Sequence, residues 1–498
     1  MFDFILNYDF MFLLEPATIL GLIAGSVFGM MVGALPGLSA TVGCALLLPV
    51  TFTLEPRASI VMMAAVFMSS QYGGSISAIV LGIPGTPAAV ATVFDGYALS
   101  KKGFPGKALG YSLYSSTFAG FFGVAALMLL TGPLAEFALR LSDPELFLIG
   151  MMGLLSVVSL GEKDIWKTVI SLFLGLAVGT IGIDPFTGAH RYTFGNIYLG
   201  NGILLVALLS GFYALSEVLE MCTGNMTRTV VTDTKNLKCH ISWQEFKDIL
   251  PVCVRGGIIG TICGIIPGLG GGPASFFSYT QAKAVDREPE TFGQGNPRGI
   301  ASCEGSNNAV VGGGLIPFLS LGIPGTPTIA VMAGALMVQG IDPGPQLMKE
   351  NPALVYTVYW GLFFSVIAMF LLGRYTTSLF ARILKCPGYV LMPVIIMLTL
   401  IGAYVGRGFW IDVWIAIGAG VLAFIMKRLD FSMNAFALSF VLADLIEDRF
   451  RRSLMLSKGD PVIFFNRPFC ILIWLMIAYM IYVSIKNNNK LKQAGNLN

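Results

Sequence analysis

Apolar runs separated by short polar breaks occupy nearly the whole of this 498-residue chain. Runs long enough to cross about 30 Å of hydrocarbon fall at roughly 17–35, 58–82, 108–132, 145–160, 165–183 and 200–219. In the second half they fall at roughly 251–267, 300–323, 353–373, 388–405, 409–426 and 467–484. Shorter hydrophobic pieces at 37–54, 86–100, 269–284, 326–341 and 431–446 read as re-entrant or interfacial segments. The pattern predicts an all-α polytopic membrane protein with roughly 10–12 transmembrane helices.

The order of these runs repeats. GALPGL at 33–38 matches GIIPGL at 264–269, and GIPGTP at 82–87 returns unchanged at 322–327. Gly73-Gly74 corresponds to Gly313-Gly314, and the segment ending at Glu217 resembles the one ending at Glu447. The offsets are 231, 240 and 230 residues, in one order, which points to two homologous halves. The chain then divides into an N-terminal segment 1–16, repeat 1 at 17–219 and a polar inter-repeat connection at 220–247. Repeat 2 at 248–447, a basic loop 448–466, an extra C-terminal transmembrane helix 467–484 and a polar tail 485–498 follow. The 447–467 loop and the tail are both basic yet separated by one spanning helix, so the charges alone do not orient the chain. An inverted repeat is the expectation, because secondary transporters commonly use one.

Composition narrows the class. Residues are 55% hydrophobic and 12% charged, with a mean hydropathy of +0.76, against about 25% charged in soluble domains. The net charge of +3 implies no nucleic-acid partner. Eight Cys lack CxxC spacing and the two His are far apart, so neither a disulfide framework nor a metal centre is expected. The acids near the start of MFDFILNYDF do not make the positive leader of a cleaved signal peptide. No GxxxxGK[ST], G-x-S-x-G or H-E-x-x-H pattern supports an ATP-driven pump or an intramembrane hydrolase, and the chain is not expected to be an enzyme.

The chemistry concentrates at the breaks. Pro84 and Pro324 stop or kink a helix, and Gly85 and Gly325 permit unusual backbone. Thr86 and Thr326 can cap new helices starting at Pro87 and Pro327. A fresh helix N-terminus within the membrane is an anion site, whereas a lone proline kink is usually only structural. Paired breaks in two halves favour the binding reading. The 33–43 and 264–275 segments add Pro36 and Pro267 breaks followed by Ser39, Thr41 and Ser275; close packing through small residues is the equal alternative. Between the breaks, Glu304, Asn307 and Asn308 stand opposite Ala64, Phe67 and Met68 of the first half, which carries Ser69, Ser70, Gln71 and Tyr72 nearby. Symmetry kept for glycines but lost for polar groups suggests a scaffold specialised for a ligand. The plainer alternative is a helix stapled by hydrogen bonds.

Taken together, GALPGLSATVG at 33–43, YGGSISAIVLGIPGTPAAVATVFDGY at 72–97, GIDPFTGAHRYTFG at 182–195, the 296–328 stretch and EDRFRRSLMLSKGD at 447–460 resemble the TctA family. Its members are the large membrane subunits of tripartite tricarboxylate transporters. The family reads close to APEAANNAA where this chain has SCEGSNNAV at 302–310, keeping Glu304 and both Asn. The resemblance implies a multi-pass protein of the bacterial inner membrane that takes up a citrate-like di- or tricarboxylate by secondary active transport. Coupling to Na⁺ or H⁺ is implied, without another cofactor. So are two partners, a small TctB-like membrane subunit and a TctC-like periplasmic solute-binding protein. On this reading Ser39, Thr41, Tyr72, Gly73, Gly74, Ser75, Pro84, Gly85, Thr86, Pro87, Asn307, Asn308, Gly313, Pro324, Gly325, Thr326 and Pro327 surround the substrate. Glu304, Asn307 and Asn308 serve the coupling ion. A channel or scaffold component without ion-coupled transport is the alternative.

Overall fold

The computed structural model describes residues 9–35, 38–159, 165–223, 237–383 and 388–478. Pro36, the middle of the inter-repeat connection, the start of the N-terminal segment and the polar tail lie outside them. The first half contains α1 (Pro16–Ala34), α2 (Ala40–Thr51), α3 (Pro56–Leu81), α4 (Thr92–Lys101), α5 (Pro105–Ala138), α6 (Asp143–Ser159), α7 (Ile165–Gly179) and α8 (Leu205–Thr223). The second half contains α9 (Trp243–Ile265), α10 (Gly271–Val285), α11 (Pro297–Asn307), α12 (Ala309–Leu321), α13 (Pro327–Val338), α14 (Pro352–Ile383), α15 (Gly388–Val405), α16 (Trp410–Arg428) and α17 (Met433–Leu456). The apolar helix α18 (Pro468–Ala478) follows. Among the described residues, seven helices are each long and apolar enough to cross a membrane: α1, α3, α5, α8, α9, α14 and α16. The chain is thus a helical multi-pass membrane protein. Of the pieces read as re-entrant or interfacial, α2 and α13 have 12 residues each, about 18 Å at 1.5 Å per residue, whereas the 431–446 piece lies, from Met433 on, in the 24-residue α17.

Small residues set how the helices pack. Gly25, Gly29 and Gly33 of α1 press against the backbone of Met62, Val66 and Ser70 of α3, and a β-carbon at any of the three would collide. The contacts advance together along both helices, so α1 and α3 run parallel and α2 returns between them. In the second half Gly256, Gly260 and Gly264 of α9 meet α11 and α12 near Ser302, Ser306 and Val310 in the same parallel sense, with α10 returning. The halves join through α3 and α11–α12. Ser75 meets Glu304 and Met68 meets Asn308, so these helices cross antiparallel. Met68 and Asn308 are the very positions that the sequence alignment places opposite each other.

Both GIPGTP segments begin the same way and then diverge. Gly82 (φ 71°) and Gly322 (φ 76°) end α3 and α12 in the left-handed conformation that only glycine adopts without strain. Thr326 then accepts from the Ile329 N–H and caps α13 as expected. Thr86 makes no such bond: Pro87–Ala89 forms a single tight turn, and α4 starts only at Thr92. The expected helix start at Pro87 is therefore displaced by five residues. Asp95 explains where α4 is held: its carboxylate accepts from the N–H groups of Gly293, Gly295 and Asn296 and from the Tyr279 hydroxyl.

Helix directions sort the loops onto two faces. Arg449–Asp143, Arg467–Glu145, Arg191–Glu447 and the Arg407 bonds to Gly202 tie together loops on the first face. Lys107–Glu245, Lys102 to Gln294 and Lys167 to Leu429 tie together loops on the opposite face. Of the described lysines, only Lys349 and Lys458 belong to the first face. Arg191 and Glu447 form an ion pair of 2.6 Å.

The first face carries the 180–204 loop. Tyr192 and Phe194 take left-handed backbone (φ 52° and 49°), and Phe194 and Ile197 are each 89% exposed. Asp184 anchors the loop by accepting from Arg451 at 2.8 Å and from the Phe186 and Thr187 N–H groups. The guanidinium holds the Asp184 pKa down at about 2, against 3.8 for a free carboxyl. A carboxylate with a depressed pKa contributes stability above its unfolded value and loses it as pH falls through the folded one. The loop is therefore expected to stay anchored above about pH 4 and to loosen between about pH 4 and 2. Hydrogen exchange at the 186–188 amides, corrected for intrinsic rates, measures this, and Asp184→Asn should loosen the loop already at neutral pH.

Candidate functional site

The breaks converge on the start of α10. Gly270 (φ 63°) precedes that helix and no side chain caps it, leaving N–H donors at a helix N-terminus. A β-carbon on Gly271 would lie 2.7 Å from Ala88 Cβ and 3.3 Å from Asn307 Oδ1. One on Gly272 would lie 3.5 Å from the Pro87 carbonyl, and one on Gly270 would lie 3.9 Å from Thr326 Cγ2. The turn after the first break, the cap of the second, the α10 start and Asn307 therefore share one place. Thr41, at the start of α2, shares a 2.9 Å hydroxyl contact with Thr328, in the first turn of α13.

Asn307 is the anomaly there. It is fully buried, and neither its Nδ2 nor its Oδ1 has a hydrogen-bond partner. Leaving one such group unpaired in the interior costs about 1–3 kcal/mol. The buried Thr86 hydroxyl is unpaired as well. Asn308 is half used: its Nδ2 approaches the Met68 carbonyl at 3.3 Å, while its Oδ1 is unpaired. An amide offering both donor and acceptor, beside a helix N-terminus, suits a carboxylate.

Glu304 lies one turn before Asn307 and is fully buried. Its Oε1 accepts from Ser75 at 2.6 Å and Thr92 at 2.5 Å, and its Oε2 accepts from Ser116 at 2.9 Å. The carboxylate thereby joins α3, α4 and α5 to α11.

The remaining residues named from sequence cap helices, pack the breaks or lie apart from them. Ser39 caps α2 through the Val42 N–H. Gly73 lets α1 approach α3, and Gly74 makes room for Thr86. Gly313 packs on the Thr261 backbone. Gly85 lies against Gly33 and Gly74, and Gly325 against Gly264 and Gly314, so Pro84 and Pro324 introduce equivalent folds of the chain. Tyr72 points elsewhere, its hydroxyl bonding Thr377 at 3.2 Å and Cys239 at 3.5 Å. Sequence reasoning missed Thr92, Ser116 and the bare α10 start. Single hydroxyls in apolar helices carry little signal, but the Gly-Gly-Gly run at 270–272 beside Pro267 was one. Among the described residues no three His, Cys, Asp or Glu side chains group as a metal site.

A cavity of about 830 Å³ opens between the 180–204 loop, α13 and α17, with Arg191, Arg407 and Asp444 in its wall. Gly334 and Met337 of α13 also line it, so it reaches the helix that starts at the second break.

Comparison with known proteins places this architecture. The model of the tripartite tricarboxylate transporter TctA family matches residues 19–438. An Agrobacterium vitis protein, described as an uncharacterized 52.8 kDa protein in the TAR-I ttuC' 3' region, is 35% identical over 471 residues, covering 94% of this chain and 93% of its own. A second A. vitis protein, from the TAR-II ttuC' 3' region, is 34% identical over 209 residues, covering 42% of this chain and 86% of its own. No solved structure matches. The chain belongs to the tripartite tricarboxylate transporter TctA family.

Proposed function

We propose that this chain is the translocating subunit of a secondary importer for a citrate-like di- or tricarboxylate, coupled to Na⁺ or H⁺, in the bacterial inner membrane. The observation that carries this reading is Asn307, buried with both amide atoms unpaired where two helix breaks meet the uncapped start of α10. The substrate carboxylates sit between the Asn307 amide and the N-termini of α10 and α13. Thr86, the free Asn308 Oδ1 and Thr41 complete the shell. Glu304 serves the coupling ion. Importing an anion against an inside-negative potential costs about 2.3 kcal/mol per charge per 100 mV, which a co-transported cation offsets.

A periplasmic solute-binding protein delivers the substrate and a small membrane subunit completes the complex. The face bearing the 180–204 loop, with its exposed Phe194 and Ile197, is assigned to the periplasm as the side on which the binding protein docks. The 830 Å³ cavity then faces the periplasm. The two halves are an inverted repeat, a reading supported by the antiparallel crossing of α3 and α11–α12 at Met68 and Asn308.

Membrane vesicles holding all three subunits should accumulate labelled citrate above its external concentration only under a Na⁺ or proton gradient. Flux that merely equilibrates, gradient or none, would make the chain a channel component instead.

A further inference from the structure

We infer that the coupling ion is a proton, and that Glu304 carries it as a switch joining the two halves. This deepens the reading of Glu304 above and rests on it. Sodium sites in transporters with broken helices draw on backbone carbonyls freed where a helix unwinds. The shell of Glu304 is built otherwise. Ser75 lies well inside α3, Ser116 inside α5 and Glu304 inside α11, with Thr92 in the first turn of α4. Each partner reaches the carboxylate through a hydroxyl, at 2.5 to 2.9 Å. A hydroxyl both donates and accepts. When Oε2 takes a proton, the Ser116 hydroxyl can rotate its own hydrogen away and accept a hydrogen bond from the carboxyl O–H, and no heavy atom of the shell need move. The shell's hydroxyls can hydrogen-bond either form, but they supply no charge to balance the ionised one.

The surroundings offer no countercharge. The buried ionisable groups on the elements packed around Glu304 are Tyr72 of α3, Asp95 of α4, Tyr111 of α5, Cys253 and Cys263 of α9, Tyr279 of α10 and Cys303 of α11. The cations on these elements are engaged elsewhere or lie at helix ends: Arg298 pairs with Asp286, Lys107 with Glu245 and Arg57 with Glu55, Lys101 lies over Tyr97 and Lys247 over Trp243, Arg255 bonds the Pro251 carbonyl, and Lys283 is in the last turn of α10. α5 presents Ser115 and Ser116, and α12 and the Pro87–Ala89 turn contain no ionisable residue. None of the buried groups is a cation, and the partners that bond the carboxylate are hydroxyls. A bare buried carboxylate without a cation is costly in membrane protein, and a proton is the smallest ion that removes the cost. Protonated, Glu304 lets α11 stay against α3, α4 and α5. After the proton leaves to the cytoplasm, the charged group favours hydration and separation of α11 from them. Asn307, one turn away, moves with the same helix, so proton release and substrate release are linked.

Two measurements decide this. Infrared titration of the purified chain in nanodiscs should show a buried protonated-carboxyl stretch that Glu304→Gln removes, and replacing sodium by potassium should leave that band unchanged. An identical band in Glu304→Gln, or one that sodium abolishes, would overturn the proposal. In vesicles with all three subunits, a proton gradient in sodium-free buffer should drive labelled citrate uptake. Glu304→Gln, fixed in the neutral form, should lose at least tenfold in net uptake yet keep citrate exchange. Uptake driven by sodium and indifferent to the proton gradient would overturn the proton while leaving carboxylate transport standing. Absence of exchange in the wild type would remove the transport reading, and the infrared result would still decide the protonation of Glu304.

Discussion

Asn307→Ala is expected to abolish gradient-driven uptake while the protein inserts, accumulates and unfolds at the same temperature as the wild type or a higher one. The two halves of that expectation share one cause. A hydrogen bond to a charged group is worth about 1.5–3 kcal/mol, so losing the amide should weaken carboxylate binding about 10- to 100-fold. Without substrate the same amide is buried and unpaired on both its polar atoms, so removing it relieves a cost and breaks no hydrogen bond. A residue kept to staple helices behaves oppositely, losing stability first. Asn308→Ala should also depress uptake, but with some loss of stability, because its Nδ2 reaches the Met68 carbonyl where α3 and α12 cross. Uptake assays paired with thermal unfolding in detergent separate the two outcomes. Wild-type uptake in both variants would remove the pair from the site.

A second large effect is expected from a single methyl group at Gly325. A β-carbon there would stand 2.7 Å from the Gly264 carbonyl and 3.0 Å from Gly314 Cα. Both of those atoms are backbone, so no side chain can swing away. The Gly268 N–H also donates to the Gly325 carbonyl at 2.9 Å, tying this break to the one beneath it. Overpacking costs about 1–3 kcal/mol in general and more where backbone must shift. Gly325→Ala should therefore lower the unfolding temperature and the folded yield together, and Gly85→Ala, pressed against Gly33 and Gly74, should do the same. Gly418→Ala is the control, since nothing lies within 4 Å of its β-carbon position. Equal melting of all three variants would show that the breaks tolerate side chains and are not close-packed.

The helices were largely legible because lipid permits few alternatives: an apolar run bounded by caps and Pro-Gly breaks has to be a helix. Interior prolines marked no boundary by themselves. Pro49, Pro133, Pro251, Pro317 and Pro393 lie within helices, whereas Pro84 and Pro324, each followed by Gly, lie between them. The fate of the two identical GIPGTP segments was not legible from the motif. Thr326 caps a helix and Thr86 does not, because α4 is held from a distance by Asp95 and the 293–296 backbone. Glu304 and the Asn pair stood out as polar groups in an apolar run. Their partners did not, since Thr92 and Ser116 look like any membrane hydroxyl until the fold brings them to the carboxylate. The basic 448–466 loop is built into the fold: Arg449, Arg451 and Arg452 pair with Asp143, Asp184 and Asp448.

The central claim is that a carboxylate occupies the space between Asn307 and the start of α10. Equilibrium binding of labelled citrate to the purified complex in nanodiscs, wild type beside Asn307→Ala, tests it most directly. Saturable binding that weakens about 10- to 100-fold in the variant, with unchanged thermal stability before citrate is added, is the predicted result. Equal citrate affinity in the two proteins would contradict it.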